Sequence, residues 1–322
     1  MRKSARREVE HDIRIDAPPA TVYRLLAEVE NWPRIFPPTV HVQQVERSGA
    51  EERIEVWATA NGEAKTWTSR RLLDPDRLRI EFRQEASPPP IAAMAGTWLI
   101  EPLSGGGSLV RLLHDYRAVD DDPAGLAWID RAVDHNSRCE LTSLKISVES
   151  AVGAAGDLAL TFEDTLRIDG SAVDVYAFLN EAQHWRGRLP HVARVTLDEI
   201  TPGLQILEMD TLALDGSKHT TKSVRVCFPH SRIVYKQIAL PALMTLHTGY
   251  WQLADDGEGA VAATAQHTVV INTENIAAVL GKGAGVAQAR EFVRGALSTN
   301  SMATLGYAKV YAESKAFAEG RR

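Results

Sequence analysis

The stretch 13–37, IRIDAPPATVYRLLAEVENWPRIFP, occurs a second time in changed form at 166–190, LRIDGSAVDVYAFLNEAQHWRGRLP. The identical residues of the two stretches keep one offset of 153, as for Trp32 and Trp185 (185 − 32). The same offset holds about 80 residues later, where His267 matches His114. A period this long that occurs only twice indicates two duplicated domains rather than a solenoid.

The closing segments of the two copies match at a larger offset. Asn136-Ser137 matches Asn300-Ser301 at an offset of 164 (300 − 136), so the second copy carries about 11 extra residues (164 − 153) before its last helix. The chain has 322 residues, which also favours two domains at about 150 residues each. We therefore predict domains at 1–153 and 157–322, joined by the linker 153–156.

Each copy shows the same order of local patterns. An alternating strand opens the copy, at 9–16 and at 160–169, and a short helix with its apolar residues on one face follows. A long helix closes the copy, at 126–152 and at 286–318. Turn signals divide the region between them in the first copy into strands at 39–48, 52–60, 64–73, 77–85, 95–102 and 109–119. This order predicts an α+β fold, with a curved antiparallel sheet, a long C-terminal helix across it and an interior pocket between them.

Composition and charge exclude several classes of function. The net charge of −6 and the isoelectric point near 6.0 give no basic excess for nucleic-acid binding. The sequence contains no apolar run of about 18 residues, which a membrane-spanning helix would need. The basic N-terminal segment is not followed by the apolar core of a secretory signal. The two cysteines, Cys139 and Cys227, predict no disulfide framework, so we expect a cytoplasmic protein.

Cofactor and metal motifs are missing from the sequence. The ten histidines have no metal-ligand spacing, and no dinucleotide fingerprint or serine elbow occurs. The glycine-rich segment 281–285 has its lysine too early for a phosphate loop, and no strand leads into it. We interpret it as a turn before the last helix, and we expect neither a metal nor a cofactor.

One strand of each copy carries a polar pattern that could line a pocket. Trp67, Ser69 and Arg71 alternate along 64–73 and so share one face of the strand. In the second copy this face carries Thr221, Ser223 and Arg225, after the insertion of one residue. The opposite face of the first strand is also polar, so alternation leaves open which face lies inside, and a solvated face remains the alternative.

A later strand carries a histidine in both copies. His114 and Tyr116 share a face with Val110 and Leu112, and His267 lies on a similarly apolar face. An imidazole can act as acid or base near neutral pH, although an interior histidine can equally be a hydrogen-bonded core residue. Tryptophans that recur in both copies could form core packing or the walls of a pocket for a flat apolar ligand: Trp32, Trp98, Trp185 and Trp251.

The segment 30–33, the strand pattern Trp67-x-Ser69-x-Arg71, Trp98 and the closing helix resemble the aromatase/cyclases of bacterial type II polyketide synthases. Two copies in one chain resemble their di-domain subclass over about residues 8–318. The resemblance implies two tandem helix-grip domains, of the kind shared with START and Bet v 1 proteins. It also implies C7–C12 first-ring closure, dehydration and aromatisation, without a cofactor, of a poly-β-ketone on an acyl carrier protein. The expected partners are this carrier protein and other polyketide synthase components, and the charge and hydropathy give no reason to expect a nucleic-acid or membrane partner.

The resemblance also implies roles for individual residues. Arg71 matches the key pocket arginine of the family, and Ser69 and Trp67 match its neighbours on the strand. A tyrosine proposed as an acid in single-domain relatives falls near Thr39 here, which cannot take that role in the same way. Catalytic candidates are Arg71, Ser69, Arg225, Ser223, His114 and His267; pocket candidates are Trp32, Trp67, Trp98, Tyr116, Trp185 and Trp251.

Motif completeness favours the first copy as the catalytic one, because the second has Thr221 in the place of Trp67. A non-catalytic carrier or sensor of an apolar ligand is the alternative, since the same fold serves both kinds of function. A co-chaperone-like binding module is a third. Inward-facing Arg71 and Arg225 would favour the enzyme, and guanidinium groups in bulk solvent would favour the carrier.

Overall fold

The computed structural model describes residues 6–152, 158–212 and 218–319. Contacts between Cα atoms divide the chain into two compact units, Met1–Gly156 and Asp157–Arg322. The predicted linker 153–156 lies outside the described residues. Among the described residues, no helix is long and apolar enough to cross a membrane.

The described residues of the first unit form an antiparallel sheet and three α-helices. Its strands are β1 (Arg7–Ile15), β2 (Thr39–Ser48), β3 (Glu51–Ala60), β4 (Glu63–Asp74), β5 (Arg79–Ala86), β6 (Ile91–Pro102) and β7 (Ser108–Ala118). Its helices are α1 (Pro19–Ala27), α2 (Trp32–Ile35) and α3 (Pro123–Val152). Pro19 opens α1 because the first turn of a helix needs no amide donor from that residue.

The second unit repeats this order and adds one short helix. Its strands are β8 (Ala159–Ile168), β9 (Val192–Thr201), β10 (Leu204–Leu212), β11 (Lys218–Phe228), β12 (Arg232–Ala239), β13 (Met244–Asp255) and β14 (Val261–Ile271). Its helices are α4 (Ala172–Asn180), α5 (Trp185–Arg188), α6 (Ile276–Leu280) and α7 (Val286–Glu319). The extra residues of this copy form α6 and the turn 281–285, as the sequence predicts for the turn.

Both units have the same sheet topology. The strand order is β1-β7-β6-β5-β4-β3-β2 in the first and β8-β14-β13-β12-β11-β10-β9 in the second. Strands β2 to β7 each pair with the next strand along the chain. Strand β1 pairs with β7 and forms the edge of the sheet opposite β2. Asn61 and Gly62 both have positive φ between β3 and β4, which gives the tight two-residue turn of a hairpin. The predicted α+β helix-grip architecture is confirmed.

The long helix of each unit packs on the sheet through two separate apolar clusters. In the first unit α3 contributes Ile129 and Val133 to one cluster, and Leu141, Leu144 and Val148 to the other. In the second unit α7 contributes Val293 to one cluster and Leu305, Ala308 and Ala312 to the other.

The middle of each long helix is polar on the face toward the sheet. Ser137 and Glu140 lie between the two clusters of α3, and Asn300, Ser301 and Thr304 lie between those of α7. Polar residues at this point leave a gap between helix and sheet that apolar side chains do not fill. A cavity lies at this gap in each unit.

Candidate functional site

The cavity of the first unit, called here the N pocket, has a volume of about 110 Å³. It is lined by Trp32, Phe36, Ile54, Val56, Trp67, Ser69, Arg71, Phe82, Gln84, Met94, Trp98, Leu112, His114 and Glu140. The sheet therefore contributes most of the wall, and α3 contributes Glu140. Of the residues that the sequence assigns to the first copy, all but Tyr116 line this cavity.

Arg71 is buried in the wall of the N pocket, with 2% of its surface exposed. Its Nη1 lies 2.9 Å from Oε1 of Glu52, and the register of β3 and β4 places these two residues directly opposite each other. Its Nη2 donates to the carbonyl oxygen of Leu26 at 2.9 Å, near the C-terminus of α1. This contact satisfies a helix-end carbonyl and places the cation at the negative end of the helix dipole.

The Glu52 carboxylate compensates the charge of Arg71. Burial lowers the pKa of Arg71 to about 10, and the adjacent Glu52 opposes this shift. The guanidinium therefore stays charged at neutral pH. The second oxygen of Glu52 accepts a hydrogen bond from Gln44 Nε2 at 2.7 Å, so both oxygens are held.

Aromatic rings support the guanidinium and form the floor of the cavity. The ring of Trp32 lies 5.0 Å from Cζ of Arg71, a cation–π distance, and its Nε1 donates to the Leu26 carbonyl oxygen. Phe36 packs edge-on against Trp32 and stacks on Trp98 with ring centroids 6.2 Å apart. These rings hold the arginine in place and leave flat apolar surface for a ligand.

Two groups of the N pocket could transfer protons. Burial lowers the pKa of His114 to about 4, so its imidazole is neutral at pH 7 and is a weak base that can accept a proton. Burial raises the pKa of Glu140 to about 8, so its carboxyl group is mostly protonated at pH 7. Both side chains line the cavity, and neither makes a hydrogen bond with another described residue. The pocket thus contains a neutral base and a neutral acid.

The cavity of the second unit, called here the C pocket, has a volume of about 150 Å³. It is lined by Trp185, Leu189, His191, Leu207, Met209, Thr211, Thr221, Ser223, Arg225, Tyr235, Gln237, Trp251, His267, Leu297, Asn300, Ser301 and Thr304. All five residues that the sequence assigns to the second copy are among them.

Arg225 repeats the position of Arg71 but has different partners. It is 2% exposed, its Nη2 donates to the carbonyl oxygen of Leu179 at 2.6 Å, and its Cζ lies 5.5 Å from the ring of Trp185. Gln205 stands directly opposite it on β10, where the first unit has Glu52. Burial lowers the pKa of Arg225.

A cluster of one tyrosine and two histidines adjoins the C pocket. Tyr235 Oη lies 2.9 Å from His267 Nδ1, and His247 Nε2 lies 3.0 Å from the same nitrogen. Burial lowers the pKa of His267 to about 4 and of His247 to about 3, so both rings are neutral. The first unit has Phe82 and Met94 in the places of Tyr235 and His247 (offset 153), so this cluster belongs to the second unit.

Tyr116, a pocket candidate from the sequence, does not line the N pocket. It lies two residues beyond His114 on the same face of β7, but there the sheet is covered by the start of α3. Its ring is 1% exposed within an apolar cluster, and its hydroxyl donates to Asp130 at 2.6 Å. Tyr116 is therefore a packing residue outside the N pocket. Thr39 is buried at the start of β2 and does not line the N pocket either.

Four residues near the pockets are missing from the sequence-based candidates: Glu52, Glu140, Tyr235 and His247. Two had a signal in the sequence. Glu52 is in phase with Ile54 and Val56 on β3, and Glu140 lies four residues before Leu144 on the inner face of α3. A charged residue in phase with apolar ones indicates an inward carboxylate. Among the described residues, no group of His, Cys, Asp or Glu could hold a metal ion.

Comparisons with known proteins agree with this architecture. A family model described as "Polyketide cyclase / dehydrase and lipid transport" matches residues 6–149. The granaticin polyketide synthase bifunctional cyclase/dehydratase of Streptomyces virginiae is 52% identical over 302 residues, 92% of this chain and 97% of that protein. The actinorhodin polyketide synthase bifunctional cyclase/dehydratase of Streptomyces coelicolor is 44% identical over 318 residues, 96% of this chain and 98% of that protein.

A solved structure covers the same two units. The di-domain aromatase/cyclase BexL from the BE-7585A biosynthetic pathway superposes with a TM-score of 0.84 at 64% identity, over 95% of this chain and 99% of that one. A sheet folded over one long helix with a pocket between them defines the helix-grip class, here present in tandem. The chain belongs to the di-domain bifunctional cyclase/dehydratases of bacterial type II polyketide synthases, and it is a polyketide cyclase/dehydratase.

Proposed function

We propose that this enzyme promotes C7–C12 first-ring aldol closure, dehydration and aromatisation of a poly-β-ketone attached to an acyl carrier protein. One observation carries the proposal: an aromatic-walled pocket holds a buried guanidinium together with a neutral acid and a neutral base. Neither apolar ligand transport nor sensing needs such a set, whereas aldol and dehydration chemistry uses each member. The two arginines face the protein interior, which favours the enzyme over the carrier.

The size of the pockets supports action on one ring at a time. An apolar cavity of about 150 Å³ holds one benzene molecule, and the pockets have volumes of about 110 and 150 Å³. A pocket of this size takes the closing ring, and the rest of the chain extends toward the surface. A substrate tethered to a carrier protein would be presented in this way, and the walls would restrict the flexible chain to few conformations.

In the N pocket the proposed dehydration uses His114 and Glu140. The imidazole of His114 takes the proton from the carbon next to the ketone, and the electron pair of that C–H bond forms the new C=C bond. The carbon–oxygen bond to the hydroxyl group breaks, and this group leaves as water with the proton of Glu140. A proton from His114 then restores the carboxyl group. Arg71 stabilises the negative charge on the ketone oxygen during this step, and Ser69 donates to the same region.

Reconstitution with a minimal polyketide synthase, with and without its ketoreductase, tests the proposal. The product profile of the wild type is compared with that of Arg71→Ala and Arg225→Ala, after circular dichroism has shown that each variant is folded. We expect a C7–C12 aromatic product from the wild type and spontaneous shunt products from a variant whose pocket is needed. A wild-type profile equal to that without the enzyme under both conditions would contradict the proposal.

A further inference from the structure

The two pockets differ at one position that decides their charge. Glu52 and Gln205 occupy equivalent places in the repeat (205 − 52 = 153), and each stands opposite the pocket arginine on the neighbouring strand. Glu52 forms an ion pair with Arg71 in which both side chains are at most 2% exposed. Gln205 instead donates from Nε2 to Oε2 of the exposed Glu199 at 2.7 Å.

Arg225 is consequently a buried cation without a close counter-charge. Within the described part of the chain, no carboxylate lies within 4.0 Å of its guanidinium, and its Nη1 makes no hydrogen bond. Its one short polar contact is the carbonyl oxygen of Leu179 near the end of α4, which supplies a partial charge of about half an electron. A buried charge that lacks a partner favours an anionic ligand in the adjacent cavity.

The carboxylate of Glu199 lies in the field of Arg225, but it is exposed on β9 and outside the lining of the C pocket. The other titratable groups around the C pocket do not cancel the charge of Arg225. Burial lowers the pKa of His191 and His267 and raises that of Tyr235, so all three are neutral at pH 7. Cys227 and Tyr176, which lie in the field of Arg225, also have raised pKa values and stay neutral. The residues that α7 contributes to the pocket, 297, 300, 301 and 304, carry no charge. The described lining of the C pocket is therefore net positive.

We propose that the C pocket binds the enolate anion of a 1,3-dicarbonyl compound, and that Arg225 supplies its counter-charge. The N pocket, whose arginine is neutralised by Glu52, binds the uncharged hydroxyl-bearing form. This assignment rests on the proposed function and adds the substrate form that each pocket selects. The exchange of Glu52 for Gln205 sets this selection, because the other titratable groups in which the pockets differ, Glu140 in the first unit and Tyr235 and His247 in the second, are mostly uncharged at pH 7.

A spectroscopic titration of the full chain tests the assignment. The probe is benzoylacetone, a 1,3-diketone with one aromatic ring, whose enolate absorbs at longer wavelength than its neutral form. We expect the wild type to bind one enolate per chain and to lower the pH at which the bound probe ionises by at least one unit. That shift corresponds to at least tenfold tighter binding of the anion.

The repeat itself provides matched variants. Gln205→Glu places beside Arg225 the carboxylate that Arg71 already has, and we expect it to remove the enolate site. Glu52→Gln makes the reverse change, and we expect two enolates per chain. Arg225→Lys keeps the charge and retains binding, whereas Arg225→Met loses it. Circular dichroism reports whether each variant is folded.

Two outcomes would overturn the assignment. If the wild type binds no enolate, Arg225 does not select the anion. If Gln205→Glu shifts the ionisation of the bound probe as much as the wild type does, the missing carboxylate does not determine anion binding. The assay contains no carrier protein and no polyketide, so its failure is distinguishable from failure of the proposed function. If product formation depends on Arg71 and Arg225 while the probe stays neutral, the enzyme is a cyclase without this division between pockets.

Discussion

At the level of single residues, the buried ion pair of Arg71 and Glu52 links the proposed catalytic arginine to the stability of the fold. The two buried charges are tolerated because each compensates the other. Removal of one side chain leaves the other as a buried charge without a counter-charge, which destabilises the fold. We expect Arg71→Met to destabilise the protein by about 3–5 kcal/mol and the double variant Glu52→Gln/Arg71→Met to recover most of this loss. Urea denaturation followed by circular dichroism measures both.

Arg70 provides the control for this prediction. It lies next to Arg71 on the outer face of β4, where it is exposed and pairs with Glu85. An exposed pair contributes little, so we expect Arg70→Met to leave the free energy of unfolding almost unchanged. If the single variant Arg71→Met were as stable as the double variant, a buried Glu52 without Arg71 would carry no energetic cost, which would contradict the prediction.

Glu140 makes the stability of the fold depend on pH, and the direction of this dependence follows from its raised pKa. Its pKa in the folded state is about 8, above the unfolded value of 4.5. The protonated form is favoured by folding, so its contribution to stability is complete below about pH 4.5 and is lost as the pH rises through about 8. We expect the stability of the wild type to fall relative to Glu140→Gln over this range, by comparison of chemical denaturation at pH 5, 7 and 9. A difference that is constant with pH would contradict the raised pKa.

At the level of elements, both units have a glycine two residues before a pocket tryptophan, in Gly96-x-Trp98 and Gly249-x-Trp251, and close contact between neighbouring strands explains this pattern. A Cβ atom on Gly249 of β13 would lie 2.5 Å from Tyr235 Oη and closer still to the carbonyl oxygen of Gln266. One on Gly96 of β6 would meet the Phe82 ring and the carbonyl oxygen of Leu113. The glycine is therefore required where an aromatic side chain crosses the adjacent strand beside the pocket.

We expect Gly249→Ala to destabilise the protein by about 1–3 kcal/mol, because the added methyl group overpacks this crossing. Gly295 in α7 is the control, since it is exposed and a Cβ there meets no atom within 4 Å. Gly295→Ala should stabilise by about 0.5–1 kcal/mol through helix propensity. Thermal unfolding of Gly249→Ala and Gly295→Ala measures the two effects on stability. Equal effects of both substitutions would mean that the crossing on β13 can relax.

At the level of the whole molecule, duplication has produced two units that each possess a core, a sheet and a pocket. Their pockets hold different chemical groups, a neutral carboxyl in one and a tyrosine–histidine cluster in the other. If each pocket performs a separate part of the reaction, two variants with different pockets disabled should complement each other. Mixing Glu140→Gln with Arg225→Met should therefore give more aromatic product than either variant alone at the same total enzyme concentration.

A mixture of two variants with the same pocket disabled provides the control for complementation. Glu140→Gln and Ser69→Ala both alter the N pocket, so their mixture should give no gain. Chromatography of the products from a reconstituted synthase makes the comparison. A yield from the first mixture equal to the average of its two components would show that the intermediate does not pass between pockets of different molecules.

The sequence alone determined the duplication and the order of the elements, and it identified the tryptophans and arginines only as candidates for a pocket. These features follow from one repeated register and from alternation along strands, which are properties of the chain itself. Which face of β4 lies inside was decided only by the helix that covers it, because Arg70 and Arg71 alternate in an equally polar strand.

Tertiary structure also decided the charge and protonation of the site. Glu52 pairs with Arg71 because strand register places them opposite each other, and Gln205 leaves Arg225 without a carboxylate at the same place. Glu140 retains its proton because burial disfavours the charged carboxylate. Pairing across strands and desolvation depend on distances between residues far apart in the chain, so only the folded arrangement could fix them.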